Sequence, residues 1–376
     1  MRIVRLANFV TARSGGLRTA LRELGAGYLA AGHEPVLIVP GARYSDVDTE
    51  QGRIITLPGP EVPRMGGYRV LLDRRRVAET LRQVRPDHVE VSDRTTLRWI
   101  GRWARQHGVP SMMVSHESLD GLLRLFGGGR WTADRLNART AADYDRVVCT
   151  TGWAAAEFER LGAGVARVPL GVDLDLFSPA RHDPALRRRW AAPGDTLLVH
   201  CGRLSAEKQP ERSLATLAGL RASGVPAVLV VAGGGPLRPA LQASAAEQGL
   251  PVRFVGHLRD RGELAALLAT ADVALAPGPI ETFGLAALEA LASGTPVVAS
   301  AASALPEVIG TAGIAATTDA SFAAAVRTLL ARPDRRAAAR ARAETFPWSA
   351  SVAGFLSLIT ADGAVMLGST GRRRRA

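Results

Sequence analysis

Residues 3–31, IVRLANFVTARSGGLRTALRELGAGYLAA, decide the fold. A β-rich run over 3–8 passes through a turn at Gly15 and Gly16 into a helix over 17–31, whose apolar spacing falls at Leu17, Leu21 and Leu24. Strand, glycine turn and amphipathic helix is the repeating unit of parallel α/β sheets. The same grammar continues, with further strands expected at 35–39, 53–57, 88–91, 111–115 and 146–149. It resumes after residue 180, where strands at 196–201, 227–231, 252–255, 273–276 and 296–300 alternate with helices containing Leu214, Leu237, Leu264 and Leu285. Six strands and then five, each set within about 170 residues, make two sheets rather than one.

Proline and glycine concentrate where the two sets meet, in Val168-Pro169-Leu170-Gly171-Val172-Asp173 and the Phe-Ser-Pro segment after it. The expected division is therefore 1–172, 173–345, a helix over 346–361 that crosses back to the first domain, and a disordered basic tail over 362–376. Phe346-Pro347-Trp348 interrupts the Ala- and Arg-rich helical stretch before that last helix.

Composition removes several classes of function. The chain has 376 residues, 47% hydrophobic and 22% charged, as an ordinary globular protein does. Even the apolar run over 264–277 contains Asp272, and no run approaches the roughly 18 to 20 residues of a membrane helix. The amino end is too short in apolar length for a signal peptide and reads as a buried strand, so the expected location is cytoplasmic. Cys149 and Cys201 are read as reduced core residues. Four charges of the net +12 belong to Arg372 to Arg375, and no aromatic-basic interleaving appears, which argues against nucleic acid. The span from Arg64 to Arg139 carries fifteen Arg against eight acidic residues and includes Arg74-Arg75-Arg76. Two readings stand open for it, a solvated helix face and a surface for anionic phospholipid head groups.

The most specific chemical signal is Glu281-Thr282-Phe283-Gly284, followed by Glu289-Ala290 and Gly294-Thr295-Pro296. Its strand ends in Pro277-Gly278-Pro279, so Glu281 emerges at the carboxyl end of a parallel sheet, where ligands bind in such folds. A helix starting near Gly284 offers the amides of Gly284 and Leu285 to a phosphate, and Glu289 can accept from ribose hydroxyls. Gly202-Arg203-Leu204 through Lys208 follows the strand over 196–201, and Arg203 with Lys208 can clasp a diphosphate. Among 47 Lys plus Arg, Lys208 is the only lysine, which points to a position where the guanidinium fork does not fit. Ser14-Gly15-Gly16 is open between phosphate contact and a tight turn, since the full G-x-G-x-x-G is absent. His116, followed by Glu117, stands at another carboxyl strand edge. Asp46-Val47-Asp48 in a surface loop and Asp173-Leu174-Asp175 in the hinge have the spacing of some metal sites. With a cationic loop and a helix amino end at hand, a divalent ion is not required, and the expectation is no metal and no cofactor.

These residues resemble the family-4 retaining glycosyltransferases of the GT-B fold over nearly the whole chain. The pieces are Gly15-Gly16, His116, Pro169 to Asp173, Arg203 with Lys208, Gly233-Gly234-Gly235-Pro236 and the block from Glu281 to Glu289. Within that family, Ala7-Asn8-Phe9, Arg13 to Ala20, Glu90 to Arg94 and Ala276 to Pro279 look like the actinobacterial phosphatidylinositol dimannoside mannosyltransferases. The resemblance implies two Rossmann-like doubly wound domains facing across a deep cleft. It also implies mannosyl transfer from GDP-mannose, with an α-1,6 linkage, to a glycolipid at the inner face of the membrane.

It further implies that Arg203 and Lys208 hold the diphosphate, Gly15 and Gly16 approach it from the other domain, and Glu281 orients the sugar hydroxyls. Backbone at Val255, Gly256, His257 and Leu258 takes the base, with Phe283, Gly284, Leu285 and Glu289 completing the donor set. His116 contacts the transferred sugar, and Phe9, Tyr68, Arg69 and Asp93 face the acceptor. Alternatives at this stage are a UDP-sugar donor, a soluble acceptor, or a non-catalytic nucleotide-sugar or lipid-binding protein. A dinucleotide oxidoreductase lacks its fingerprint glycines here.

Overall fold

The computed structural model describes residues 1–10, 15–62, 67–125 and 127–372. It forms two compact units, Met1–Leu170 together with the chain from Trp348 onward, and Gly171–Pro347. Ser14, Arg13, Arg64, Phe126 and residues 373–375, all named above, lie outside the described residues.

In the first unit the strands are β1 (Arg2–Leu6), β2 (Glu34–Gly41), β3 (Ser45–Thr49), β4 (Gly52–Pro58), β5 (His88–Val91), β6 (Ser111–Ser115), β7 (Arg146–Cys149) and β8 (Ala166–Arg167). They lie in the order β3-β4-β2-β1-β5-β6-β7-β8. Among these strands only the β3–β4 pair is antiparallel. Chain order reverses between β1 and β5, so the loops leaving those two strands flank the place where such sheets bind ligands. One face packs Val4, Leu6, Val36, Ile38, Val89 and Val91 with Val77, Leu81, Ile100 and Trp103 from the covering helices. The other face buries an unusual trio in which Tyr28 donates to Glu90 Oε1 at 2.7 Å and the Arg5 guanidinium lies 5.7 Å from the Tyr28 ring. Burial pushes Glu90 up to about 7 against the opposing pull of Arg5. Gly25, in the helix Gly16–Ala30, makes room for it, because a Cβ there would stand 2.4 Å from Arg5 Nη2.

Strand β3 corrects the reading of residues 46–48 as a surface loop. Its five residues, SDVDT, are all exposed and carry no alternation that period-2 patterning could detect. What holds it is the ladder to β4 and a bidentate pair in which Arg53 donates to both oxygens of Asp46, at 2.7 and 2.6 Å. The last helix also differs from expectation, running from Trp348 to Arg372, so the segment expected to be a disordered tail is helical as far as Arg372. It belongs to the first unit, where Phe355 and Ile359 are buried and Ser351 donates to Pro169 O at 2.8 Å. Gly27 marks the contact, since a Cβ there would meet Val352 Cγ2 at 2.3 Å.

The second unit contains β9 (Thr196–Cys201), β10 (Ala227–Ala232), β11 (Val252–Gly256), β12 (Val273–Ala276), β13 (Val297–Ser300) and β14 (Ile314–Ala316). All pairs are parallel, in the order β11-β10-β9-β12-β13-β14. This is the doubly wound dinucleotide-fold order, and its reversal lies between β9 and β12. Strand β14, only three residues long, is a sheet-edge element the sequence pattern did not mark.

Candidate functional site

The loops that leave β9 and β12 come together at the reversal of the second unit. After Cys201 the chain runs through Gly202-Arg203-Leu204 into a short 3-10 turn, Ala206–Lys208. After Ala276 it runs through Pro277-Gly278-Pro279 to Glu281. Lys208 Nζ donates to Glu281 Oε1 across this junction, with both side chains about one-quarter to one-third exposed. The backbones are close as well, for a Cβ on Gly278 would lie 3.3 Å from Lys208 Cα. Lys208, Glu281, His200, Gly202, Gly278 and Gly284 line one cavity there.

Gly284 is the cap of the helix Leu285–Ala292, with φ +86°, and the helix starts one residue later than its expected start. Left-handed backbone excludes most side chains, and a Cβ would also stand 2.3 Å from Leu305 Cδ2, so this glycine is required twice over. The first amides of that helix have no partner within it, which makes the cap an anion-favouring end. Phe283 and Leu285 are buried, and the Phe283 ring packs edge-on against Phe346 at 6.0 Å, so only their backbone can serve a ligand.

Glu289 is buried and paired. Arg261 Nη2 donates to its Oε1 at 3.0 Å, and the same guanidinium lies 5.1 Å from the Phe177 ring. Arg203 is half-buried in the loop after β9 and is not among the residues lining the cavity around Lys208. Val255, Gly256, His257 and Leu258 end β11 and begin the following loop. There the Gly256 carbonyl is taken by the amide of Gly233 at 2.7 Å, while His257 is exposed.

The Gly233-Gly234-Gly235-Pro236 loop acts as a brace. Gly202 N donates to Ala232 O and Leu204 N to Gly234 O, each at 3.0 Å. A Cβ on Gly233 would fall 1.8 Å from Gly202 O, and one on Gly235 would fall 2.3 Å from Leu204 O. The glycines thus let one backbone lie against the loop that carries Arg203 and Lys208. This second role was absent from the sequence reading, although the triple glycine was its signal.

In the first unit, the loops leaving β1 and β5 are tied by Asn8. Its Nδ2 donates to Asp93 Oδ2 at 2.7 Å and to Thr96 Oγ1 at 2.6 Å, and its Oδ1 accepts from Leu71 N at 2.8 Å. Asp93 is buried and also accepts from the amide and hydroxyl of Thr95 and of Thr96. Its carboxylate is therefore engaged in shaping the loop. Phe9 has φ +58°, its amide donates to Arg69 O at 3.4 Å, and its ring meets the Tyr68 ring edge-on at 6.0 Å. Arg69 donates to Gly59 O at 2.8 Å and lies 3.4 Å from Glu61. Phe9, Tyr68 and Arg69 thus form one group.

His116 follows β6 and is half-buried, and loss of solvent pushes its imidazole down to about 4, so it is neutral at physiological pH. Burial pushes the neighbouring Glu117 up to about 7, assisted by Asp93 and opposed by Arg94. The segment is fixed by residues to which the sequence assigned no site role. Arg94 donates to the carbonyl of Glu117 and to Asn137 Oδ1 at 2.9 Å, and stands 3.4 Å from the buried Glu157. Glu157 in turn accepts from Ser118 Oγ at 2.5 Å, Leu119 N at 3.1 Å and Asp120 N at 3.3 Å. No local spacing links residues 94, 118, 137 and 157, so only the fold could reveal them. Gly15 caps the helix Gly16–Ala30 with open space at its Cβ position, compatible with both readings of that turn.

The chain matches the Glycosyl transferases group 1 family over residues 183–346 and the Glycosyl transferase 4-like domain over residues 15–172. It is 53% identical over 373 residues, 96% of each chain, to the GDP-mannose-dependent alpha-(1-6)-phosphatidylinositol dimannoside mannosyltransferase of Mycobacterium tuberculosis. It is 34% identical over 279 residues, 71% of each chain, to the GDP-mannose-dependent alpha-mannosyltransferase of Mycolicibacterium smegmatis. Among solved structures, sucrose-phosphate synthase from Thermosynechococcus elongatus superposes with TM-score 0.74 at 22% identity, covering 97% of this chain and 100% of that one. The Anabaena protein HepE, crystallised with UDP and glucose, superposes with TM-score 0.75 at 16% identity, covering 96% and 99%.

Proposed function

The chain belongs to the group 1 glycosyl transferases, and from that premise we propose that it transfers mannose from GDP-mannose to a phosphatidylinositol mannoside through an α-1,6 linkage. The observation that carries the reading is the meeting of Lys208 and Glu281 in one cavity at the carboxyl ends of β9 and β12. A cation and a carboxylate placed together there suit the two ends of a nucleotide sugar's reacting bond. The ammonium faces the diphosphate that leaves, and the carboxylate takes hydroxyls of the sugar that is transferred. The length and closeness of the match to the Mycobacterium tuberculosis enzyme support the donor and the acceptor class.

Charge on the leaving diphosphate is met by groups of the chain itself, Lys208, Arg203 and the amino end of the helix Leu285–Ala292, so transfer proceeds without a divalent ion. On the acceptor side, Phe9, Tyr68 and Arg69 supply an aromatic and basic group, and His116 supplies a neutral imidazole.

The acceptor is a lipid, so the first unit works at a membrane surface. No helix among the described residues is long and apolar enough to cross a membrane. Part of the basic excess of the 64–139 span is paired within the first unit, because Arg94 stands beside Glu157, and Arg98 and Arg102 beside Asp143. What remains outward includes Arg74, Arg75 and Arg76, next to the exposed Leu72, and Trp131 at 70% exposure with Arg135 5.4 Å from its ring. Basic and apolar side chains exposed together suit anionic head groups at the cytoplasmic membrane face.

The test is donor hydrolysis with a panel of GDP- and UDP-sugars, followed by transfer to actinobacterial lipid extracts with the product read by mass. GDP-mannose turnover that adds one hexose to a phosphatidylinositol mannoside is expected. Preference for a UDP-sugar, or transfer to soluble polyols alone, overturns the assignment.

A further inference from the structure

His200 is the penultimate residue of β9 and is 3% exposed, in a strand whose Leu197, Leu198 and Val199 are fully buried. One ring nitrogen is accounted for, since Nδ1 lies 2.9 Å from Ser213 Oγ in the helix Glu211–Ala222. The other, Nε2, is buried and has no hydrogen-bond partner among the described residues. The imidazole lines the same cavity as Lys208, Glu281 and Gly284. Gly202 lies over it. A Cβ on Gly202 would have a single neighbour within 4 Å, His200 Nε2 at 3.9 Å, so the bare glycine leaves open the space that this nitrogen faces.

Burial, with a smaller contribution from the Lys208 charge, pushes the ring down to about 4, so it is neutral at physiological pH. The Ser213 hydroxyl can donate to Nδ1, and the ring proton then sits on Nε2. A buried N–H next to an ammonium, in a cavity with one bare-backbone wall, is matched by an occupant that brings acceptor oxygens and negative charge.

We propose that His200 binds the donor directly, with Nε2–H donating to an oxygen of the distal phosphate of the nucleoside diphosphate beside Lys208. The inference rests on the nucleotide-sugar reading above and adds a residue to it. Lys208 supplies charge without fixed direction, whereas the imidazole, anchored by Ser213, supplies one donor at a fixed place. This explains why a titratable ring occupies a strand position that follows Leu197, Leu198 and Val199. It also explains why Gly202, which has ordinary backbone, carries no side chain.

Calorimetric binding of GDP and of GMP separates a phosphate contact from a structural role, because GMP lacks the distal phosphate. His200→Leu is expected to weaken GDP by about 10- to 100-fold, the size of a hydrogen bond to a charged group, and to leave GMP unchanged. His200→Gln, whose amide nitrogen can reach the Nε2 position, should recover part of the loss. Gly202→Ala should reproduce it by filling the gap. The GDP-to-GMP ratio is independent of the fraction of protein that is folded, so a poorly folding variant still reports. Equal loss for both nucleotides, or loss for neither, overturns the role of His200 while leaving the transferase reading intact. If the wild-type protein binds UDP in place of GDP, the mannosyl-donor reading fails, and UDP against UMP decides His200 by the same ratio.

Discussion

Lys208 stands alone among 47 basic residues as an amine rather than a guanidinium, and its surroundings account for that. Its Nζ is directed to Glu281, and its backbone is pressed against the Pro277-Gly278-Pro279 loop, where Gly278 has no Cβ to interfere. A planar fork there would have to displace one of the two loops. Lys208→Ala is expected to lower turnover by about 10² to 10³, as removal of one preorganised stabilising donor does. Lys208→Arg should also be impaired, which steady-state rates of donor consumption will show; full activity in the arginine variant would remove the lysine from the clamp. His200 provides a second residue-scale prediction, read as stability. Its folded-state pKa lies below the unfolded value near 6.5, so the stability it contributes is present above that value and is lost as pH falls toward about 4. Melting curves between pH 7 and pH 5 should therefore show wild type losing ~2 kcal/mol that His200→Gln does not lose. Parallel pH dependence in the two proteins would contradict a buried neutral ring.

Elements matter here mainly by how closely loops can approach. The brace between residues 233–235 and 202–204 joins the ends of β10 and β9 by backbone hydrogen bonds at 3.0 Å, which leaves no volume for a methyl group at two of its three glycines. Gly233→Ala or Gly235→Ala should each destabilise the protein by roughly 1–3 kcal/mol. Gly234→Ala, with nothing within 4 Å of its Cβ position, should melt like wild type. Equal melting temperatures for all three would show that the brace relaxes without cost. The helix Gly152–Glu159 performs a comparable service in the first unit, since Glu157 near its end ties down Ser118, Leu119 and Asp120 and so fixes the chain after His116. Glu157→Ala leaves Arg94 buried without its carboxylate and is expected to cost about 3–5 kcal/mol by denaturant unfolding.

At the scale of the molecule, two solution properties follow from the charge distribution. If basic side chains and helix amides meet the leaving diphosphate as proposed, mannosyl transfer should continue in excess chelator. Loss of turnover that Mg²⁺ or Mn²⁺ restores would refute this. Binding to vesicles rich in anionic phospholipid should weaken as added salt shortens the Debye length from about 10 Å to about 3 Å. Equal sedimentation with neutral and anionic vesicles would leave Arg74 to Arg76 and Trp131 without a membrane role.

The sequence by itself determined what is local and periodic. Strand and helix alternation, glycine turns at sheet edges, the Glu281 block and the lone lysine each express their meaning within a few residues, where backbone geometry and side-chain spacing are directly coupled. It gave a surface loop where alternation is missing, at β3, whose exposed SDVDT is held by pairing rather than by burial. Composition also misread the carboxyl end, since Gly, Ser and Thr ahead of the arginine run do not stop a helix whose first turns are packed. Only the tertiary structure decided partnerships. Lys208 and Glu281 are 73 residues apart, Arg94 and Asn137 are 43 apart, and Arg261 and Glu289 are 28 apart. His200 reads in the sequence as one more buried strand residue. It becomes a candidate ligand contact because folding satisfies one of its nitrogens, leaves the other facing a cavity, and sets a glycine above it. Hydrogen bonding and desolvation depend on distance in space, and sequence separation does not encode that distance until the two sheets have formed.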